Sequence, residues 1–204
     1  MHALLTHGMG RSPLSFWPLA RHLRRAGIQT STFGYAVSLQ PFTDIQARLA
    51  QRINQLAHQG DYILIGHSLG GVLIRAAVAS LPANTPGPRH IFLLGSPTHP
   101  ARLAQKLASN PVYRAITRDC GQLLGSAERM AGIAIPSCPV TGIAGTQGLS
   151  GRLSPFGKAP NDGIVSLSEV SAEWLTDQVT VPVMHSWLPA SKQVAQVILE
   201  RIGT

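Results

Sequence analysis

One stretch constrains this chain more than any other: Tyr62-Ile-Leu-Ile-Gly-His-Ser-Leu-Gly-Gly71. An apolar run rich in β-branched residues, Tyr62 to Ile65, stops at Gly66, and a helix-compatible run, Val72 to Leu81, begins after Gly71. Between them lies Gly66-x-Ser68-x-Gly70, the G-x-S-x-G pattern of a sharp strand-to-helix turn that presents a serine. A turn this tight holds its central residue in a strained backbone conformation. Cβ atoms on the neighbouring residues would collide with the strand and the helix, so those positions are glycine. The hydroxyl of Ser68 is thereby placed at a helix N-terminus, whose dipole and free N–H groups favour developing negative charge. The plain alternative is a structural turn with an incidental serine. Against it, the motif requires a strand before and a helix after, and both are present.

The rest of the chain alternates in the same way. His2 to His7 reads as a short buried strand that ends in the Gly8-Met9-Gly10 loop. Ser12-Pro13 opens a helix over Leu14 to Arg25, which Gly27 closes. Ile28 to Tyr35 is a second strand, and Asp44 to His58 an amphipathic helix with Ile45, Leu49, Ile53 and Leu56 on one face. His90 to Gly95, Val140 to Ala144 and Val179 to Met184 read as further strands, and Ser191 to Ile202 as a closing helix. This pattern predicts an α/β fold, a mostly parallel central sheet with helices on both faces. At 204 residues and 44% hydrophobic, the chain suits one domain spanning residues 1–204. Residues 99–135 read as two or three short helices broken at Asn110-Pro111, an insertion expected to lie cap-like over the carboxyl edge of the sheet. Leu123, Leu124, Met130 and Ile133 there either line an acyl pocket or pack the insertion onto the core.

Gly66-His67-Ser68-Leu69-Gly70-Gly71 resembles the elbow of α/β-hydrolase lipases and esterases, and Leu5-Thr6-His7-Gly8-Met9-Gly10 resembles their oxyanion loop. Asn161-Asp162-Gly163-Ile164-Val165 and Met184-His185 resemble their acid and histidine segments. The likeness covers nearly the whole chain and is closest to compact bacterial lipases and esterases with a minimal α/β-hydrolase core. It implies a triad in the order serine, acid, histidine, which here is Ser68, Asp162, His185.

The chemistry expected of those residues is specific. A serine hydroxyl is a poor nucleophile at neutral pH and needs a base within hydrogen-bond reach. His185 follows a predicted strand and precedes a loop-like run, Ser186-Trp187-Leu188-Pro189, from which its ring can reach the elbow. Asp162, in a tight turn, is expected to orient that imidazole and stabilise its protonated form. Glu169, Glu173 and Asp177 are its rivals, and their spacing reads as solvated helix charges. An ordinary Asx turn is the bland reading of Asp162. For the oxyanion, one N–H is expected from Leu69 and, by resemblance, the other from Met9, each worth ~2.7–4 kcal/mol to the transition state. Gly8 and Gly10 let the backbone approach a substrate closely, and His67 completes the candidate substrate contacts. His7 reads as a structural hydrogen-bonder.

The expected reaction is cleavage of carboxylic esters with an apolar acyl group through an acyl-enzyme on Ser68. A thioesterase or acyltransferase would use the same triad, and a non-catalytic binding module would use the same fold. No metal-ligand spacing or dinucleotide fingerprint stands out, so no cofactor is expected. The formal charge of +8 favours anionic lipid surfaces or nucleic acid by general electrostatics, but no nucleic-acid-binding pattern accompanies it, and the arginines, spread along the chain, read first as an ordinary solvated surface. The partners expected are a small-molecule ester or lipid and a transient lipid interface, while edge strands leave dimerisation open. Met1 leads straight into a strand without a signal-peptide pattern, which points to a cytoplasmic protein or a trimmed exported form. Cys120 and Cys138 do not make a disulfide framework; a single bridge in an exported form and two unpaired thiols are equally consistent.

Overall fold

Six strands form a single sheet in the computed structural model of the chain, which describes residues 1–152 and 154–203. They are β1 (His2–Thr6), β2 (Gln29–Phe33), β3 (Tyr62–His67), β4 (His90–Leu94), β5 (Val140–Gly145) and β6 (Asp177–Val181). Their order across the sheet is β2-β1-β3-β4-β5-β6, and every neighbouring pair is parallel. A parallel sheet is covered on both faces, so its central strands are apolar throughout rather than alternating. Every residue of β3 is accordingly buried. Successive side chains still leave on opposite faces. Leu4 and Leu64 join one core with α2 (Phe42–Ala57) and α3 (Leu69–Ala79). Leu5, Ile63 and Ile65 join a second core with α1 (Trp17–Arg25) and α8 (Lys192–Ile202).

The connection from β4 to β5 carries α4 (Arg102–Leu107), α5 (Pro111–Gly125) and α6 (Ala127–Ala131). Asn110 caps α5, its side chain accepting from the N–H groups of Val112 and Tyr113, and Pro111 occupies the first turn where no N–H is needed. The helix breaks its φ/ψ pattern at Arg118, which takes φ 46° and ψ −133°. A short α7 (Leu167–Val170) precedes β6. Among the described residues, no helix is long and apolar enough to cross a membrane.

Three boundaries differ from expectation for identifiable reasons. The helix expected over Leu14 to Arg25 is a 3-10 turn, Pro13–Phe16, followed by α1, because Pro18 near the α1 start lacks an N–H and restarts the coil. The last strand covers Asp177–Val181 rather than Val179 to Met184, and the chain then turns at Val183, whose N–H donates to Val181 O, into a 3-10 turn, His185–Ala190. The helix expected around Ser168 to Leu175 is only α7. Ser171 leaves it in extended conformation, and its carbonyl takes the hydroxyl of Thr98.

Candidate active site

The sharp turn between β3 and α3 sets the geometry. Ser68 has φ 53° and ψ −126°, and its N–H donates to Leu94 O of β4 at 2.9 Å. That is the left-handed half of the map, disfavoured for a serine and held here by its surroundings. A Cβ on Gly66 would run into the Gly71 backbone, and one on Gly70 into the carbonyl oxygens of Thr6 and His7. The helix therefore begins at Leu69, earlier than Val72, with two glycines in its first turn pressed against β1 and β4. Leu69 opens the helix, where N–H groups have no intrahelical acceptor.

Asp162 and His185 meet at the far ends of β5 and β6. His185 Nδ1 lies 2.6 Å from Asp162 Oδ2, both side chains being buried. The other carboxylate oxygen accepts the N–H groups of Ile164 and Val165 at 3.0 and 2.9 Å, and the Asp162 carbonyl accepts the His185 N–H at 2.9 Å. The carboxylate is thus fixed by its own turn, and its acceptor capacity turns Nδ1 of His185 into the proton-bearing nitrogen. Nε2 is left with a free lone pair. Ser68 Oγ has no hydrogen-bond partner among the described residues, His185 included. Contacts of this kind are commonly long in a ligand-free site and tighten around a substrate.

His67 bridges the elbow and the histidine turn. Its Nε2–H donates to the His185 carbonyl at 3.0 Å, and the two rings lie 4.7 Å apart. Burial, and after it the neighbouring His185, hold its pKa well below the ordinary histidine value, so it stays neutral. His67 was expected among the substrate contacts. It is instead enclosed beneath His185 and does not line the cavity next to Ser68.

The loop after β1 is clamped by Tyr35. The Tyr35 ring stacks on His7 with centroids 4.3 Å apart, and its hydroxyl donates to His7 O at 2.7 Å. Burial raises the Tyr35 pKa well above its usual value, keeping that donor protonated. His7 Nδ1 donates to Gly8 O at 2.9 Å, closing the loop on itself, and burial lowers the His7 pKa. Gly8 must be glycine, since a Cβ would stand 2.9 Å from His67 Nδ1. Gly10 turns the chain with φ 69°. Neither glycine lines the cavity, whereas Met9 does.

That cavity has a volume of about 190 Å³ and opens beside Ser68. Pro97, Leu107, Tyr113, Leu124 and Val165 are among its walls, all from the connections that follow β4 and β5. Of the four insertion residues singled out from sequence, only Leu124 reaches it; Leu123, Met130 and Ile133 pack into the core. Glu169 is a second correction. It is buried, not solvated, and accepts the N–H and hydroxyl of Ser166 and the N–H of Arg102. The Ser166-x-x-Glu169 spacing of a capping box was the signal for it. Cys120 and Cys138 are both free thiols, and burial pushes the Cys120 thiol up to about 12. Among the described residues, no group of three His, Cys, Asp or Glu is placed to hold a metal ion.

A protein-family model described as Thioesterase domain matches residues 3–130. No curated protein matches the chain. Among solved structures, the Bacillus licheniformis lipase BlEst2 in propeptide form is similar at 17% identity with a TM-score of 0.72, covering 98% of this chain and 49% of that one. The RedJ thioesterase of the prodiginine biosynthetic pathway in Streptomyces coelicolor is similar at 16% identity and TM-score 0.62, covering 100% of this chain and 89% of that one. Tomato methylketone synthase I, complexed with 2-tridecanone, is similar at 13% identity and TM-score 0.66, covering 99% and 97%. At these identities the likeness is one of fold, the α/β-hydrolase fold.

Proposed function

The chain belongs to the thioesterase-domain family, and on that premise we propose that it hydrolyses acyl esters or thioesters through an acyl-enzyme on Ser68. The observation that carries this reading is the buried Asp162–His185 pair beside an elbow whose serine is held at positive φ. In the first step, His185 Nε2 takes the Ser68 proton as Oγ attacks the acyl carbonyl. Asp162 holds the ring in the Nδ1–H tautomer and stabilises the imidazolium. The oxyanion is taken by the backbone N–H groups of Leu69 and Met9, the kind of fixed donor that stabilises charge developing in the transition state. His185 then protonates the leaving alkoxide or thiolate, and water completes the cycle by the reverse path.

The cavity argues for an apolar acyl group of modest length. Its volume of about 190 Å³ and its walls of Leu103, Ala104, Leu107, Leu124 and Val165 suit a short to medium apolar chain. Tomato methylketone synthase I, of the same fold, holds the apolar 2-tridecanone. The sequence alone favours an oxygen ester; the family favours the thioester.

Intact mass after treatment with a fluorophosphonate tests the reading. One adduct on the wild type and none on Ser68→Ala or His185→Ala is expected. Folded wild type that takes up no adduct would sink the catalytic reading and leave a binding module.

A further inference from the structure

We propose that the face surrounding the Ser68 cavity docks on an anionic lipid surface, by an array of exposed apolar side chains interleaved with unpaired cations. Among the described residues, every exposed large hydrophobic side chain except Ile135 sits where a connection leaves the carboxyl end of a strand, before the chain turns back. Leu14 and Trp17 follow β1, Val112 and Ile116 follow β4, and Met184 and Trp187 follow β6. Trp17 is 57% exposed and Trp187 64%. Scattered exposed apolar residues need no explanation, but a set gathered on one side of a molecule does.

Two groups near Ser68 and His185 carry the array, one along the cavity and one on the side of the His185 turn. In the first, Val112 and Ile116 lie a helical turn apart on α5 and flank Tyr113, a wall of the cavity. In the second, the turn beginning at His185 packs beside the turn at Pro13, tied by Arg11, whose Nη2 donates to Ser186 O at 3.3 Å. Tryptophan and arginine together, an amphipathic ring beside a fixed charge, suit the headgroup layer of a bilayer.

Charge follows the same direction in part. Residues 1–43 contain no carboxylate and four arginines, Arg11, Arg21, Arg24 and Arg25. Residues 97–118 contain none either, and hold Arg102, Lys106, Arg114 and Arg118. Lys106, Arg114 and Arg118 are exposed and in no ion pair among the described residues. At the opposite edge, where β3 and β6 begin and α8 ends, Asp61, Asp177 and Glu200 are paired with Arg89 and Arg201, so that edge is mixed in charge, and Glu173 lies in a pocket with His99. The connection after β4 also holds Asp119, whose charge is taken by Arg129 at 2.7 Å, and the exposed Glu128 on α6, and Asp44 stands at the first turn of α2. Anionic lipid is the surface that meets both features. A soluble acidic protein would satisfy the charge and leave the tryptophans and the α5 side chains without a partner.

Docking is read without turnover, so it stands or falls apart from the reading of the reaction. The test is flotation of the full chain with phosphatidylcholine vesicles, with and without phosphatidylglycerol, alongside tryptophan emission. Expected is binding only to the anionic vesicles, weakened by salt, with a blue shift from Trp17 and Trp187. Lys106→Ala with Arg114→Ala should lower partitioning roughly 25-fold, about fivefold per cation near the surface. Trp17→Ser with Trp187→Ser should abolish the blue shift and weaken binding. Neither pair touches the cavity, so fluorophosphonate labelling should persist and report that both variants fold. Absence of binding at low salt, binding indifferent to lipid charge, or wild-type binding by both double variants overturns the proposal. So does capture by a soluble acidic acyl-carrier protein with the vesicles left untouched.

Discussion

His185 is held from two sides, by a carboxylate at Nδ1 and by a second histidine at its carbonyl. The two restraints should separate in kinetics. Asp162→Asn keeps the shape of the turn but offers an amide where Nδ1–H needs an acceptor, favouring the wrong tautomer. Its kcat should fall by roughly 10⁴ while the melting temperature moves little; a loss under tenfold would show that Asp162 does not orient the base. His67→Phe instead frees the His185 carbonyl inside the protein. Loss of one such bond, about 1–1.5 kcal/mol, should lower kcat/KM roughly tenfold, and His67→Gln, which retains a donor, should recover part of it. Equal activity in the Phe and Gln variants would mean that the ring, not its bond, matters. His67 is adjacent to Ser68 in the sequence, but its contact with the His185 carbonyl is not legible there, because it depends on how the turn after β6 folds back across the sheet.

At the scale of elements, the turn between β3 and α3 and the α4–α5 wall differ in how they arise. The turn is local. Its glycines are required by backbone atoms a few residues away or on the adjacent strand, so spacing alone exposes it, and Gly70→Ala should unfold the protein or lower its stability by about 1–3 kcal/mol or more. The wall is tertiary. Leu123 and Leu124 both pack into the core, and of the two only Leu124 also reaches the cavity. Hydrophobic pattern cannot make that distinction, because both roles call for the same apolar side chains. The strand alternation, the Ser68–Asp162–His185 order and the Asn110-Pro111 boundary were legible; Pro97, Tyr113 and Val165 as cavity walls were not. Ala104, also in the wall, lies where a larger side chain would fill the space. Ala104→Leu adds about three carbons of side chain to the cavity and should shift the preferred p-nitrophenyl ester toward shorter acyl chains. An unchanged chain-length profile would mean that the acyl group does not enter this cavity.

At the scale of the whole molecule, burial has moved several histidines in the same direction. His2, His7, His67 and His90 all have pKa values lowered from 6.5, with desolvation the largest cause in each. In the native state they resist protonation; in the unfolded chain they regain ordinary behaviour. Above pH 6.5 both states are neutral at these positions and their contribution to stability is fully present. As pH falls below that value the unfolded chain binds protons that the native protein excludes, and stability drops until the native groups themselves titrate. Each proton excluded in this way steepens the dependence by up to ~1.4 kcal/mol per pH unit. His67, enclosed beneath His185, should contribute the largest share, whereas the half-exposed His2 and His90 are relieved by solvent. Between pH 6.5 and about 5 ordinary carboxylates remain ionised, so this window isolates the histidines. Urea midpoints measured at pH 7.5, 6.0 and 5.0 should therefore fall steadily below 6.5 in the wild type, and His67→Gln should flatten that slope. A wild-type midpoint constant across the window, or a variant as steep as the wild type, would place the acid sensitivity of the fold elsewhere than in these buried rings.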